Sequence, residues 1–153
     1  MKSSLVLTAI AVAIGLTAQP ALARESASGP AVRDTQPTLI VRSTRFGRIL
    51  FDGRGRALYA FTRDRQRGPS RCYGACANAW LVYFAKGRLR AGTGAKQSLI
   101  GTTRRRDGRI QVTYKGWPLY YYKGDCPGQV LCQNVDQFGG LWLVVRPSGQ
   151  LVR

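Results

Sequence analysis

An internal repeat is the feature of this sequence that most constrains its fold. Leu58-Tyr59 recurs as Leu119-Tyr120, with matching glycines and strand-like residues at the same spacing around both copies. After one inserted residue, Trp80-Leu81-Val82 recurs as Trp142-Leu143-Val144. Two matches in register over this length indicate a duplication, so the chain is predicted to contain two copies of one structural unit.

The two predicted units span residues 46–90 and 107–153, and residues 91–106 are expected to join them. A unit of about 45 residues buries too little apolar surface to be stable alone. We therefore expect a single domain over residues 38–153, in which the two units share one core around a pseudo-twofold axis.

Each unit has the pattern of short strands. Residues 109–114 alternate apolar and polar side chains, as a strand with one wet face does. Residues 52–55, Asp-Gly-Arg-Gly, have turn chemistry between two apolar segments. No segment has sustained helical periodicity, and residues 76–79 alone are expected to form a helical turn. The fold class predicted is all-β, built as a sandwich or a distorted barrel.

The first 23 residues have the pattern of a secretory signal peptide. A basic start precedes an apolar run from Leu5 to Leu16, which is too short to span a bilayer, and Ala21-Leu22-Ala23 is a small-residue cleavage site. Residues 24–37 are expected to be a disordered linker. We predict a secreted or periplasmic protein that is cleaved after Ala23 and lacks a cysteine for a lipid anchor.

Four cysteines remain in the exported chain, an even number that favours disulfides in an oxidising compartment. Three pairings are possible. We favour the two local ones, Cys72–Cys76 and Cys126–Cys132, because each pair brackets a glycine-containing turn. Neither pair has the spacing of a redox Cys-x-x-Cys motif, although a redox or metal-binding protein that uses these cysteines remains an alternative.

The absence of histidine argues against catalysis. It removes the commonest general base and the usual partner of a nucleophilic serine or cysteine. Ser70 and Ser98 have no such partner, and Lys96 does not stand in the Ser-x-x-Lys order. We expect no enzymatic activity, no catalytic residue, no cofactor and no metal.

A Tyr-x-aromatic-x-x-Asp pattern occurs once in each unit. On these residues the chain resembles the secreted-repeat family of predicted bacterial lipoproteins, which implies an exported, envelope-associated protein without an established activity. The lipid-bearing cysteine of the lipoprotein members is missing here. The residues that carry the resemblance are Leu58, Tyr59, Phe61 and Asp64 in the first unit and Leu119, Tyr120, Tyr122 and Asp125 in the second.

The two aspartates of this pattern, Asp64 and Asp125, each follow a predicted strand. They could bind a ligand or a metal, but Ca²⁺ needs six to eight oxygens from a compact loop, and neither unit contains such a loop. We expect both carboxylates to accept hydrogen bonds from backbone N–H groups of the turn that follows.

Charge is the clearest indication of a partner. The chain has 24 Lys and Arg against 7 Asp and Glu, a net charge of +17, and the arginines cluster around turns and strand ends. Such a field attracts anionic polymers or membrane surfaces of the cell envelope, without sequence-specific nucleic-acid recognition. The residues expected to bind polyanions are Arg63, Arg65, Arg67, Arg104, Arg105 and Arg106.

Exposed aromatic residues give an alternative function. Trp117 and Tyr121 are the aromatic side chains that strand alternation would leave outside the core, where they could stack on sugars. The chain would then be a carbohydrate-binding module. Salt distinguishes the two hypotheses, because stacking survives high ionic strength and ion pairing does not.

Overall fold

The computed structural model describes residues 38–153, so the predicted signal peptide and linker lie outside the described residues. This part of the chain forms ten strands, one short helix α1 at Ala75–Ala79 and a 3-10 turn at Gln97–Leu99. The strands are β1 Leu39–Thr44, β2 Gly47–Asp52, β3 Tyr59–Phe61, β4 Trp80–Val82, β5 Ile100–Arg104, β6 Ile110–Tyr114, β7 Trp117–Pro118, β8 Tyr120–Tyr122, β9 Val135–Asp136 and β10 Leu141–Val144.

Three antiparallel sheets make up the domain. Strands β1 and β2 form a hairpin, β5, β6 and β7 form a three-stranded sheet, and the central sheet has the order β4-β8-β3-β10-β9. The all-β class is confirmed, and of the two architectures expected the sandwich-like one is observed. The described helices include none that is long and apolar enough to cross a membrane.

The central sheet interleaves the two repeats. Strands β3 and β4 belong to the first repeat and β8 and β10 to the second, so every neighbour in β4-β8-β3-β10 comes from the other repeat. Tyr59 pairs with Tyr120 at the centre of the sheet. On one side of this pair Trp80 lies opposite Tyr122, and on the other side the equivalent residue Trp142 lies opposite Phe61. This register places a pseudo-twofold axis at the Tyr59–Tyr120 pair and confirms two related halves.

The hairpins β1–β2 and β5–β6 are also equivalent. Each structural repeat therefore starts before the predicted starts at residues 46 and 107. Residues 91–106 were expected to be a connector, but Ile100–Arg104 of this segment is strand β5 and pairs along its length with β6. All residues of β5 are exposed or half-buried, so the strand lacks the apolar alternation that would have revealed it. The structural repeat therefore begins at β1 and at β5, earlier than the sequence pattern indicated.

Apolar side chains pack on both faces of the central sheet. Successive side chains of a strand point to opposite faces. Tyr59 and Phe61 accordingly belong to one apolar cluster with both buried tryptophans, while Leu58 and Ala60 belong to a second cluster with Leu119. Each cluster draws on both repeats, so the halves share their core as expected.

The two buried tryptophans form the centre of the first cluster. The Trp80 and Trp142 rings stack at 3.9 Å with an interplanar angle of 3°, and neither residue is exposed. Tyr59 meets the Trp80 ring edge-on at 5.2 Å, and Tyr120 meets Trp142 in the same way at 5.2 Å. The two tyrosines thus make equivalent contacts with the tryptophans, whereas Phe61 stacks on Trp142 at 4.2 Å and its counterpart Tyr122 is tilted against Trp80 at 5.1 Å.

Candidate functional site

The tyrosines and aspartates of the repeated pattern bond across the two repeats. The Tyr59 hydroxyl donates to Asp125 Oδ2 at 2.7 Å, and the Tyr120 hydroxyl donates to Asp64 Oδ2 at 2.6 Å. All four residues are buried. Each repeat therefore supplies the donor of one pair and the acceptor of the other, so neither repeat completes a pair by itself.

The second oxygen of each carboxylate fixes the loop that follows. Asp64 Oδ1 accepts a hydrogen bond from the Arg71 backbone N–H at 2.7 Å, and Asp125 Oδ1 accepts one from the Leu131 N–H at 3.0 Å. Both aspartates thus have the loop-fixing geometry expected from the sequence. Their oxygens are used in internal bonds that join a strand of one repeat to a loop of the other.

Burial also controls the ionisation of these carboxyl groups. Desolvation raises the pKa of Asp64 to about 6, although the Tyr120 hydroxyl, the Arg71 N–H and the Arg105 charge act in the opposite direction. The pKa of Asp125 is raised for the same reason. Asp64 is therefore ionised at neutral pH at the cost of lost hydration, which hydrogen bonds offset in part.

This shift of the Asp64 pKa predicts a pH dependence of stability. The pKa of an unfolded aspartate is about 3.9, so between about pH 4 and pH 6 the folded state holds a proton that the unfolded state has released. The free energy of unfolding should fall as the pH rises through this window. Urea unfolding of the wild type and of Asp64→Asn at a series of pH values checks this. Parallel pH profiles for the two proteins would contradict the assignment.

Arg105 is a buried part of this site, which corrects its predicted role at the surface. The residue is 2% exposed, and its guanidinium donates to Ser70 Oγ at 2.6 Å, Gln111 Oε1 at 2.8 Å and the Cys72 carbonyl at 2.7 Å. Ser70 Oγ in turn lies 2.7 Å from the Tyr120 hydroxyl oxygen. Arg105 therefore supports the Tyr120–Asp64 pair from inside the domain and cannot reach a polyanion in this conformation.

The other predicted arginines are exposed, and four of them lie on two adjacent segments of the chain. The loop after Asp64 lies against the β5–β6–β7 sheet, because Arg67 N–H donates to the Gly116 carbonyl at 2.8 Å and Thr103 Oγ1 donates to the Gly68 carbonyl at 3.3 Å. Neighbouring segments of the surface therefore carry Arg65, Arg67, Arg104 and Arg106. Arg63 extends elsewhere and donates to the Phe138 carbonyl at 3.0 Å.

The distribution of carboxylates makes the exterior strongly cationic. Residues 38–153 contain 21 basic and 5 acidic residues, a net charge of +16 (21 − 5). Asp52, Asp64 and Asp125 are buried, and Asp107 forms an ion pair with Arg109 at 2.9 Å. Among the basic residues described, in contrast, only Arg105 is buried. Folding thus removes three of the five described carboxylates from the surface, leaves Asp107 and Asp136 exposed, and keeps nearly all the cations on the surface.

The two aromatic residues predicted to stack on a ligand have different environments. The Tyr121 hydroxyl donates to Asp52 Oδ2 at 3.0 Å, and the Arg56 guanidinium lies 4.3 Å from the centre of its ring. Tyr121 is therefore a half-buried packing residue rather than an open platform. Trp117 lines an open cleft of about 470 Å³ with Gln66, Lys115, Gln150 and other residues.

One of the two favoured disulfides is present. Cys72 and Cys76 are bonded across the turn that leads into α1. Cys126 and Cys132 are free thiols in the structure, so the second predicted bond is wrong there. Cys126 is exposed, whereas Cys132 is half-buried against the aromatic cluster, where burial raises the pKa of its thiol.

Taken together, the fold and site define a class of protein: a duplicated all-β domain in which each repeat completes the other. The chain belongs to a family described as a secreted repeat of unknown function, whose model matches residues 41–83 and again residues 101–146. Both matches begin within the hairpins β1–β2 and β5–β6, in agreement with the structural repeat. The secreted-repeat part of the family prediction is confirmed, and the protein is a secreted one. No curated protein and no solved structure matches the chain.

Proposed function

We propose that this protein is a non-catalytic binding module that associates with anionic polymers of the cell envelope through its arginine-rich exterior. The observation that carries the proposal is the placement of charge: three of five carboxylates are buried, while all described basic residues except Arg105 remain at least partly exposed. A net charge of +16 within 116 residues produces a field of several kT at the surface.

Arginine is well suited to this role. Its planar fork matches the oxygens of phosphate and carboxylate groups and forms charge-assisted hydrogen bonds with them. Binding of this kind releases counterions from the polymer, so its affinity falls as salt rises. The domain would thus bind a polyanionic polymer without specificity for the order of its monomers.

A binding measurement at two salt concentrations tests this function. We expect the mature chain to bind inorganic polyphosphate, with an affinity that falls at least about tenfold between roughly 50 and 200 mM salt. Dextran, an uncharged polymer, serves as the control and should not bind. Absence of polyphosphate binding at low salt, or binding that salt does not weaken, would overturn the proposal.

The Trp117 cleft supports a second candidate, binding of a neutral glycan. The indole ring lines an open cleft in which Gln66 and Gln150 offer amide groups, a combination of stacking surface and hydrogen-bonding groups that suits sugars. Glycan binding that persists at high salt and is lost in Trp117→Ala would favour this function over the first.

A further inference from the structure

The turn between β5 and β6 concentrates positive charge. Within residues 104–109 four arginines, Arg104, Arg105, Arg106 and Arg109, accompany a single carboxylate, Asp107. The pseudo-symmetric turn between β1 and β2 has Arg45 where this one has Arg106, but it has no counterpart of Arg104 or Arg105. The equivalent residues 43–48 contain two arginines and no carboxylate, a net charge of +2 against +3 for residues 104–109, so the second repeat has the denser arginine cluster.

Two of these guanidinium groups share one aromatic ring. The Cζ atoms of Arg105 and Arg106 lie 4.2 and 3.8 Å from the centroid of the Tyr73 ring, so they are at most 8.0 Å apart. The Arg106 backbone N–H donates to the Tyr73 hydroxyl at 3.0 Å, which fixes the ring against the turn. At this separation salt screens the repulsion between the two cations only in part, since the Debye length is about 8 Å at physiological ionic strength.

The neighbouring carboxylate Asp107 pairs with Arg105 and Arg109, whereas Arg104 and Arg106 form no ion pair among the described residues. Asp107 Oδ2 accepts two hydrogen bonds from Arg109, and it lies 3.6 Å from Arg105 Nε, too far for a hydrogen bond. Arg105 Nε is buried without a hydrogen-bond partner among the described residues. The exposed Arg106 guanidinium likewise makes no hydrogen bond within residues 38–153.

We propose that the β5–β6 turn is a localised site for a phosphoryl group, held by the Arg106 guanidinium over Tyr73 and by the exposed Arg104 guanidinium, which also donates to the Gly108 carbonyl of the turn at 3.0 Å. A phosphoryl oxyanion would supply the negative charge that this turn lacks, and its oxygens can accept from two guanidinium forks at once. This inference rests on the proposed polyanion binding and deepens it, because it names the group that is recognised and the place where it binds.

The test compares two charge-neutralising variants of the mature chain at pseudo-symmetric positions. Arg106→Gln should weaken binding of inorganic polyphosphate by at least about tenfold at constant salt, as loss of a hydrogen bond between charged groups does. Arg45→Gln removes the same charge from an exposed arginine that also stacks on an aromatic ring, Phe46, and should weaken binding less than about threefold. Arg106→Lys, which keeps the charge but not the fork, should give an intermediate loss.

Three results would overturn the proposal, each in a different way. Equal losses in Arg106→Gln and Arg45→Gln would show that overall charge determines binding, so the localised site would fail while the proposed function stood. Polygalacturonate is a polymer that carries carboxylates instead of phosphates. If Arg106→Gln weakened the binding of polyphosphate and of polygalacturonate by the same factor, the assignment to phosphoryl groups would fail. A wild type that binds no polyphosphate at low salt would remove both the site and the proposed function.

Discussion

Replacement of Trp80 by alanine should lower the free energy of unfolding by about 3–5 kcal/mol, the range for deletion of a fully buried aromatic side chain. The Trp80 ring is completely buried, stacks on Trp142 at 3.9 Å and receives the edge of Tyr59. Its loss opens a cavity at the pseudo-twofold axis, where side chains of both repeats meet. Urea unfolding followed by circular dichroism measures the effect. A Trp80→Ala variant that is already unfolded without urea would also agree with this prediction.

Two further tryptophan variants serve as references for this experiment. Trp142→Ala should also cost about 3–5 kcal/mol, because both rings are completely buried and each receives the edge of a tyrosine. Trp117→Ala deletes the same side chain at a half-buried position and should cost less. If Trp80→Ala were no more destabilising than Trp117→Ala, the tryptophan stack would not be the centre of a shared core.

Removal of the Tyr120 hydroxyl is the second substitution with a large expected effect. Above pH 7 Asp64 is ionised and buried, and Tyr120→Phe takes away its shortest hydrogen bond, at 2.6 Å. A buried carboxylate that loses a donor costs about 1–3 kcal/mol. The Tyr120 hydroxyl oxygen also lies 2.7 Å from Ser70 Oγ, so the Arg105 cluster loses a neighbour as well.

Comparison with other tyrosines checks that the cost comes from the carboxylate pair. Tyr59→Phe should destabilise by a similar amount, because its hydroxyl donates to Asp125. Tyr83→Phe is the control: its hydroxyl donates to the neutral Thr38 carbonyl, and a loss of about 1 kcal/mol or less is expected. Urea unfolding at pH 8 provides all three values. A cost for Tyr83→Phe equal to that for Tyr120→Phe would contradict the role of the buried carboxylate.

The sequence allowed the fold class to be predicted, but not the way in which the repeats combine. Similar segments such as Leu58-Tyr59 and Leu119-Tyr120 identify equivalent strands, and alternation identifies their buried faces. Interleaved repeats and two separate sheets would have the same pattern, because alternation within a strand does not specify its neighbours. The pairing of Tyr59 with Tyr120 is a long-range property that only the structure shows.

The limits of prediction at the site have a similar cause. Arg104, Arg105 and Arg106 form a run of identical residues, and a run of identical side chains gives no sign of which one is buried. Arg105 is buried because Ser70 and Gln111, from two other segments, accept its hydrogen bonds. The period of two in an extended strand was the available signal. Recognition of β5, which ends at Arg104, would have placed the next side chain, Arg105, on the opposite face from Arg104.

The fold also explains why so basic a chain keeps its cationic surface. In each Tyr–Asp pair the carboxylate joins a strand of one repeat to a loop of the other, so the joining of the repeats itself consumes acidic residues. Asp52 is removed from the surface in the same manner, by Tyr121 of the second repeat. Mutual completion of the repeats and the charge proposed to bind polyanions are therefore two consequences of one arrangement.

A pair of double-mutant cycles tests most directly whether each repeat completes the other. Tyr120→Phe combined with Asp64→Asn crosses the repeats, and we predict an interaction energy of about 1 kcal/mol or more in urea unfolding. Tyr59→Phe combined with Asp64→Asn stays within the first repeat, and the two effects should add to within about 0.5 kcal/mol. Coupling between Tyr59 and Asp64 with additivity between Tyr120 and Asp64 would show that each repeat satisfies its own pattern, and would contradict completion of one repeat by the other.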